Sequence, residues 1–113
     1  MRTLKPLSVL FAFCCYAPLV FADDASVTIF MPADGAKLSR TAPTIINYEV
    51  MPGPKGDHTH LYVDDKEAAV LRQLKGGYTL EPLAPGKHEI CIKIVNRGHA
   101  PIGVQQCAKV SVE

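Results

Sequence analysis

The chain has 113 residues, is 48% hydrophobic and 20% charged, and carries a formal net charge of +1. A chain of this length makes one small domain. Its nearly balanced charge lacks the basic surface that attracts nucleic acid or anionic lipid. We therefore expect a single domain and no nucleic-acid partner.

The amino-terminal residues have the pattern of a secretory signal peptide. Arg2 and Lys5 form a short basic region, a mostly apolar run follows from Pro6 to Phe21, and Ala22 ends a small-x-small cleavage pattern. The run contains a proline and is shorter than the roughly 20 apolar residues of a comfortable membrane helix. We predict cleavage after Ala22 and export, either to the periplasm or as a secreted protein.

Cleavage changes both the charge and the set of cysteines. Residues 1–22 are the predicted signal peptide. Residues 23–113 are the predicted mature domain, which keeps ten basic residues against eleven acidic ones and has no predicted membrane span. Two of the four cysteines leave with the signal peptide, and Cys91 and Cys107 remain. An even pair in an exported protein predicts a disulfide, and two free thiols are the alternative.

Short β-patterned runs make up the mature chain, with proline and glycine between them about every 8–12 residues. That spacing is typical of a β-sandwich or barrel, and no run is long enough for an amphipathic helix. The predicted strands are 27–31, 44–50, 58–63, 78–80, 89–95 and 104–112. Residues 66–74 fit either a strand or a helical turn, and the sequence leaves that segment open.

Two histidines stand two positions apart in the third of these runs. Alternate residues of a strand share a face, so His58 and His60 would point the same way with their rings close together. That is the smallest two-nitrogen metal chelate. The alternatives are an exposed strand face shared with Tyr62, or a hydrogen-bonded pair that braces the preceding loop.

The last two strands allow their register to be predicted. If Cys91 and Cys107 lie opposite each other in an antiparallel pair, the apolar alternation is preserved on both strands. The flanking pairs are then Ile90 with Ala108, Ile92 with Gln106, and Ile94 with Val104. The same register makes residues 96–103 a loop with His99 near its tip.

The segment from Tyr78 to Asn96 resembles the late-strand signature of bacterial immunoglobulin-like and fibronectin-type modules. With the stretches Gly56–Asp64 and His99–Gly103, the mature chain is similar to a group of small exported bacterial proteins of unknown function. The resemblance implies an all-β fold, an immunoglobulin-like antiparallel β-sandwich of about seven strands, and it implies no activity. Cupins and copper/zinc superoxide dismutases also have a His-x-His strand, but the residues that follow His60 do not continue their motifs.

In an immunoglobulin-like sandwich, the loops after the second and sixth strands lie at the same end. That arrangement would bring His99 to His58 and His60, and would leave His88 at the opposite end as a structural corner histidine. Three imidazole nitrogens with an open position suit copper or zinc. Copper is preferred because of the exported compartment and because the thioether of nearby Met51 would favour copper(I).

We therefore expect a small exported protein that binds copper or zinc through His58, His60 and His99 and has no catalytic residues. Asp57 is interpreted as a turn residue hydrogen-bonded to its own loop, and the alternative is a ligand or a support for the ligands. The alternative is a non-catalytic module of the cell envelope that contacts protein or glycan through the same loops. A metal-dependent enzyme is a third possibility, although the sequence has no nucleophile framed by glycines. It identifies no protein partner.

Overall fold

The computed structural model of the protein describes residues 24–113, and the predicted signal peptide lies outside them. The described residues form eight strands in two sheets. The strands are β1 (Ser26–Met31), β2 (Ala36–Leu38), β3 (Thr44–Met51), β4 (His58–Val63), β5 (Lys66–Leu71), β6 (Lys75–Leu80), β7 (Gly86–Val95) and β8 (Pro101–Val112). This part of the chain contains no helix long and apolar enough to cross a membrane. The domain is the predicted immunoglobulin-like β-sandwich, with the three-residue β2 as an additional strand.

The two sheets have three and five strands. Their orders are β1-β3-β6 and β2-β8-β7-β4-β5. Neighbouring strands are antiparallel except β2, which runs parallel to β8 and pairs Ala36 with Val110. β6 begins earlier than the predicted strand 78–80. β4 lies between β5 and β7, so its backbone is hydrogen-bonded along both edges.

The core lies between the sheets and is built from alternate residues of the interior strands. Its central residues, each at most 4% exposed, are Ile46, Tyr48 and Val50 of β3, Leu61 of β4, and Ile90, Ile92 and Ile94 of β7. Full burial of one such aliphatic side chain contributes about 1.5–3 kcal/mol. The alternation therefore decides which face of each strand turns inward, and a slip of one residue would expose the apolar face.

The predicted disulfide joins Cys91 of β7 to Cys107 of β8, whose Cα atoms are 4.0 Å apart. The two residues are direct partners in the antiparallel register, and the predicted pairs next to them, Ile90 with Ala108 and Ile92 with Gln106, are also present. The cysteines lie on the face of the sheet opposite to the isoleucines. The apolar alternation was therefore sufficient to predict this part of the register.

The register prediction is wrong at Ile94 and Val104, which are not partners. The register shifts near the end of β7, and β8 begins at Pro101. Gly103, inside this stretch of β8, has a φ of 93°. Glycine adopts that conformation at low cost, and such residues often accompany a β-bulge. The loop between β7 and β8 is therefore residues 96–100, shorter than the predicted 96–103.

The segment that the sequence left open, 66–74, begins as a strand rather than as a helical turn. Asp64 and Asp65 connect β4 to β5 as a two-residue turn, with φ values of 53° and 67°. Two central residues with positive φ are the mark of a type I′ hairpin turn. Glu67 pairs with Tyr62, and the register shifts immediately beyond that pair.

The loop between β3 and β4 packs against the end of β7. The amide of Gly56 donates to the carbonyl of Pro52 at 3.1 Å, and the amide of Asp57 donates to the carbonyl of Val95 at 2.9 Å. A Cβ atom at position 56 would lie 2.2 Å from the Pro52 oxygen and 2.6 Å from Cγ2 of Ile94. The loop has no room for a side chain there, and this close approach sets the position of Asp57.

We expect Gly56→Ala to lower the free energy of unfolding by about 1–3 kcal/mol, because the added methyl group forces the backbone of the loop to move. Denaturant unfolding measures the effect. Gly98→Ala is the control, since its Cβ would meet only Asn96 Oδ1 at 3.4 Å, and it should change the stability by less than about 0.5 kcal/mol. Equal unfolding free energies for the two variants would contradict the tight packing at Gly56.

Candidate metal centre

β4 carries both of its histidines on one face. Leu61 points into the core, so His58 and His60 point to the other face of the five-stranded sheet. Both residues are nevertheless buried, with 2% and 4% of their surface exposed. The exposed strand face considered as an alternative is therefore wrong. Polar rings in such a position need polar partners, because an unpaired buried polar group costs free energy.

The third imidazole comes from the loop between β7 and β8. Asn96 braces this loop with two groups. Its side-chain Oδ1 accepts from the backbone amides of Gly98 and Ala100 at 2.9 and 3.0 Å, and its backbone amide donates to the carbonyl of Ala100. The turn gives His99 a φ of 68°, which is uncommon for a residue with a side chain. Its ring then lies against the two rings of β4, with centroids 4.7 and 5.1 Å away.

Three ring nitrogens meet beside β4. The Nε2 atoms of His58 and His60 are 3.2 Å apart, and Nδ1 of His99 is 3.3 Å from the first and 3.0 Å from the second. His58 and His60 are buried, whereas His99 lies at the surface. The structure thus brings together the three histidines that the sequence analysis selected as candidate ligands.

Two carboxylates hold the β4 rings in one tautomer. Nδ1 of His58 donates to Oδ2 of Asp57 at 2.8 Å, and Nδ1 of His60 lies 3.1 Å from Oε1 of Glu67. With Nδ1 protonated, the Nε2 atom of each neutral ring keeps a lone pair. A carboxylate bonded to the far nitrogen is the usual support of a metal-binding histidine. Asp57 therefore bonds to the candidate ligand His58 and is more than a turn residue of its own loop.

The count of hydrogens shows why a cation fits here. The two Nε2 atoms are both acceptors and cannot bond to each other. When all three rings are neutral, His99 brings at most one hydrogen to them on Nδ1, and one lone pair then has no good donor among these three rings. A metal ion would accept all three lone pairs at once. A hydrogen-bonded brace made by the rings alone satisfies fewer of them.

The surroundings favour the neutral form of His60 and the ionised form of Asp57. Burial is the main cause that lowers the pKa of His60, and the nearby Glu67 opposes it. The hydrogen bond from His58 is the main cause that lowers the pKa of Asp57, and Arg97, 3.9 Å from the other carboxylate oxygen, acts in the same direction. Neutral imidazole nitrogen is the form that binds a metal ion.

Glu67 was not among the residues predicted for the site, although the sequence contains a signal for it. A strand that follows a two-residue turn after Val63 places Glu67 opposite Tyr62. Tyr62 shares its face of β4 with His60, so the carboxylate comes to the side of the imidazoles. The pairing of Glu67 could not be predicted because the sequence allowed residues 66–74 to be either a strand or a helical turn.

Met51 does not join the cluster. It ends β3 in the three-stranded sheet, opposite Ser26, and is 56% exposed. The imidazoles lie on the face of the five-stranded sheet that points away from that sheet. The thioether that favoured copper(I) is therefore not at the site, and the preference for copper loses this support.

His88 lies at the opposite end of the sheet, as a corner histidine. Its Nε2 donates to the carbonyl of Ala84 at 2.6 Å, and its Nδ1 donates to Oδ2 of Asp64. The other oxygen of Asp64 accepts from the amide of Glu89 at 2.9 Å. The bond between the two side chains is the main cause that raises the pKa of His88 and the main cause that lowers the pKa of Asp64.

Solved structures of low sequence identity share this fold. Fibronectin(III)-like modules of Clostridium thermocellum CbhA match with a TM-score of 0.65 at 16% identity, over 77% of this chain and 96% of theirs. The extracellular domain of a putative hybrid two component system from B. thetaiotaomicron matches with a TM-score of 0.55 at 15% identity, over 72% of this chain and 12% of that one. SGBP-B of the Bacteroides ovatus mixed-linkage glucan utilization locus, solved with a mixed-linkage heptasaccharide, matches with a TM-score of 0.52 at 17% identity.

The match to SGBP-B covers 81% of this chain and 25% of that one, so it concerns a part of the larger protein. No family model matches the sequence, and no curated protein is similar to it. At these identities the likeness concerns the fold alone. The fold is a fibronectin-type, immunoglobulin-like sandwich, which agrees with the resemblance seen in the sequence.

We expect His88→Gln to lower the free energy of unfolding by about 1 kcal/mol near pH 5, the magnitude of a surface ion pair, since the Asp64 side chain is 45% exposed. The raised pKa of His88 adds stability below its ordinary value of 6.5, and this is lost as the pH rises through the folded-state value. The lowered pKa of Asp64 adds stability above 3.8, and this is lost as the pH falls through the folded-state value.

The stability difference between the two proteins should therefore be greatest between these ordinary pKa values, 3.8 and 6.5, and should shrink at higher pH. Urea unfolding of both proteins between about pH 3 and 9 measures it. Lys87→Gln, a change at an exposed neighbour, serves as the control and should show no such maximum. A difference for His88→Gln that does not vary with pH would contradict the ion pair.

Proposed function

We propose that this protein is a small exported metal-binding protein that holds copper or zinc with Nε2 of His58, Nε2 of His60 and Nδ1 of His99. The observation that carries the proposal is the meeting of these three nitrogens within 3.0–3.3 Å of one another. Imidazole nitrogens suit both metals, and three of them leave one coordination position free.

The charges around the rings support a cation. An imidazole that binds a metal ion is neutral and brings no charge, whereas the carboxylates of Asp57 and Glu67, 2.8 and 3.1 Å from the rings of His58 and His60, each bring one negative charge. Charge interactions are stronger where water is excluded, as it is at the buried His58 and His60. Arg97, the cation 3.9 Å from Asp57, is 94% exposed and is therefore screened by water. A divalent ion would balance the two carboxylates.

The site lies on a fold that has other sources of stability. The apolar core between the sheets and the Cys91–Cys107 disulfide do not involve the imidazoles. The ligands on β4 are held by strand pairing along both edges. Metal binding therefore adds stability to a domain that is already folded, unlike in zinc fingers, where the ion is needed for folding.

We propose that the protein holds the metal without catalysis, in the periplasm or outside the cell. The signal-peptide pattern and the disulfide support an exported, oxidising compartment. The two carboxylates nearest to the site, Asp57 and Glu67, are bonded to ligand rings. They are thus engaged in holding the ligands, which does not favour a role for either as a general base.

A second candidate function is a non-catalytic envelope module that contacts glycan or protein. A depression of about 320 Å³ beside the site is lined by residues of both loops, including Lys55, Asp57, Asn96 and Arg97. Polar groups of this kind can bind sugar hydroxyls, and SGBP-B was solved with a heptasaccharide. The residues that line the depression include no aromatic ring for a sugar to stack on, so we rank this function second.

The proposal is tested by calorimetric titration of the untagged mature protein with Zn²⁺ and Cu²⁺. We expect one ion per chain with a Kd in the micromolar range or tighter, which corresponds to a binding free energy of about −8 kcal/mol or more negative. His99→Ala removes an exposed ligand and should weaken binding by more than about 100-fold, beyond the 10–100-fold typical of losing a supporting group. The double variant His58→Ala/His60→Ala should not bind.

His88→Ala is the matched control, because it removes one imidazole from the other end of the domain and should bind like the unmodified protein. Circular dichroism of each variant shows whether it is folded. Equal, weak binding by the unmodified protein and by folded His58→Ala/His60→Ala would overturn the proposal. Binding of a mixed-linkage heptasaccharide that Arg97→Ala weakens would favour the second candidate.

A further inference from the structure

We infer that the three-histidine site is built for a divalent ion in tetrahedral coordination, Zn²⁺, with its fourth position open. The inference rests on the proposed metal binding and concerns which ion the site selects. It replaces the preference for copper that the sequence suggested. Three properties of the site support it: the size of the nitrogen triangle, the charge around it and the rigidity of the rings.

The nitrogen triangle is slightly smaller than one face of a tetrahedron. With zinc–nitrogen bonds of about 2.0–2.1 Å, two ligands of a tetrahedral ion are about 3.3–3.4 Å apart. The separations here are 3.2 Å between His58 and His60, 3.3 Å between His58 and His99, and 3.0 Å between His60 and His99. All three nitrogens therefore reach one tetrahedral ion with only small movements.

A planar ion does not fit the same triangle. Any three ligands of a square-planar copper(II) ion include one pair on opposite sides of the metal, about 4 Å apart for bonds of about 2.0 Å. The longest separation in the site is 3.3 Å, between His58 and His99. Planar coordination therefore requires one of the rings to move away from the other two.

The charge around the site favours a dication. Asp57 and Glu67 place two negative charges one hydrogen bond behind the ligand rings. A monovalent copper(I) ion would balance only one of them, and it prefers sulfur ligands. Met51 lies in the other sheet, and Cys91 and Cys107 are joined to each other. The site thus offers nitrogen ligands and a charge that matches a divalent ion.

The rings are held firmly enough to impose this geometry. His58 and His60 stand on a strand that is paired along both edges, and each is bonded to a carboxylate. His99 lies on the loop that Asn96 braces with its side-chain oxygen and its backbone amide. Ligands that are fixed before binding select an ion by geometry, whereas flexible ligands would adapt to any ion.

Affinity alone does not test this inference, because copper(II) binds most nitrogen sites more tightly than zinc does. The test therefore measures geometry. The mature protein is loaded with Co²⁺ as a spectroscopic substitute for zinc, and separately with Cu²⁺. We expect the intense visible absorption of four-coordinate cobalt, lost on addition of Zn²⁺. We also expect a copper(II) electron paramagnetic resonance spectrum with the reduced copper hyperfine splitting of a distorted tetrahedral site.

A second measurement tests the charge. The variant Asp57→Asn/Glu67→Gln keeps an acceptor for each ring and removes both negative charges. We expect its affinity for Zn²⁺ to fall by about 10–100-fold. Its affinity for Ag⁺, a stable substitute for copper(I), should fall by only about 3–10-fold, because a monovalent ion has half the coulombic interaction. Glu81→Gln, which changes an exposed carboxylate outside the site, is the control and should bind both ions unchanged.

The outcomes separate the two proposals. Three results would overturn the tetrahedral dication site while leaving metal binding intact. They are the weak cobalt absorption typical of six ligands, the copper spectrum of a planar site, and an equal loss of Zn²⁺ and Ag⁺ affinity in the charge variant. Failure of Zn²⁺, Co²⁺, Cu²⁺ and Ag⁺ to bind the folded protein would instead overturn the proposed function itself. Intense cobalt absorption that His99→Ala abolishes would support both.

Discussion

The placement of β4 between β5 and β7, with Leu61 turned into the core, is the constraint on which the rest of the structure depends. Because side chains alternate along a strand, burying Leu61 sends both neighbouring histidines to the opposite face of the sheet. The same pairing with β5 brings a glutamate to that face, and the pairing with β7 brings the end of the strand from which the His99 loop departs. The candidate metal centre is thus a consequence of how one strand is buried.

This arrangement has a cost that the fold does not require. Two imidazoles are buried with lone pairs facing each other, and each is accompanied by a carboxylate. Apolar residues at His58 and His60 would avoid the desolvation of polar groups. Local conflict with stability is expected at functional sites. A bound ion would offset the cost, since a ligand that binds only the native state adds stability in proportion to the logarithm of its concentration.

Much of the fold and of the site was predictable from local patterns. Period-two alternation allows one face of a strand to turn inward, and this predicted the core and the register around the two cysteines. The topology of the sandwich predicted that three histidines share one end. The position of Glu67 follows from the two-residue turn after Val63 only when residues 66–71 are known to form a strand. The burial of His58 and His60 depends on a folded loop, which is not visible in residue spacing. The prediction that Met51 lies near the site was wrong, because Met51 is close to His58 in sequence but belongs to the other sheet.

The most direct test of the central claim is an anomalous difference map at the zinc absorption edge, from crystals of the mature protein grown with zinc. We expect one peak per chain, about 2.0–2.1 Å from Nε2 of His58, Nε2 of His60 and Nδ1 of His99. A peak at other residues, or no peak while the three rings keep their positions, would contradict the three-histidine site.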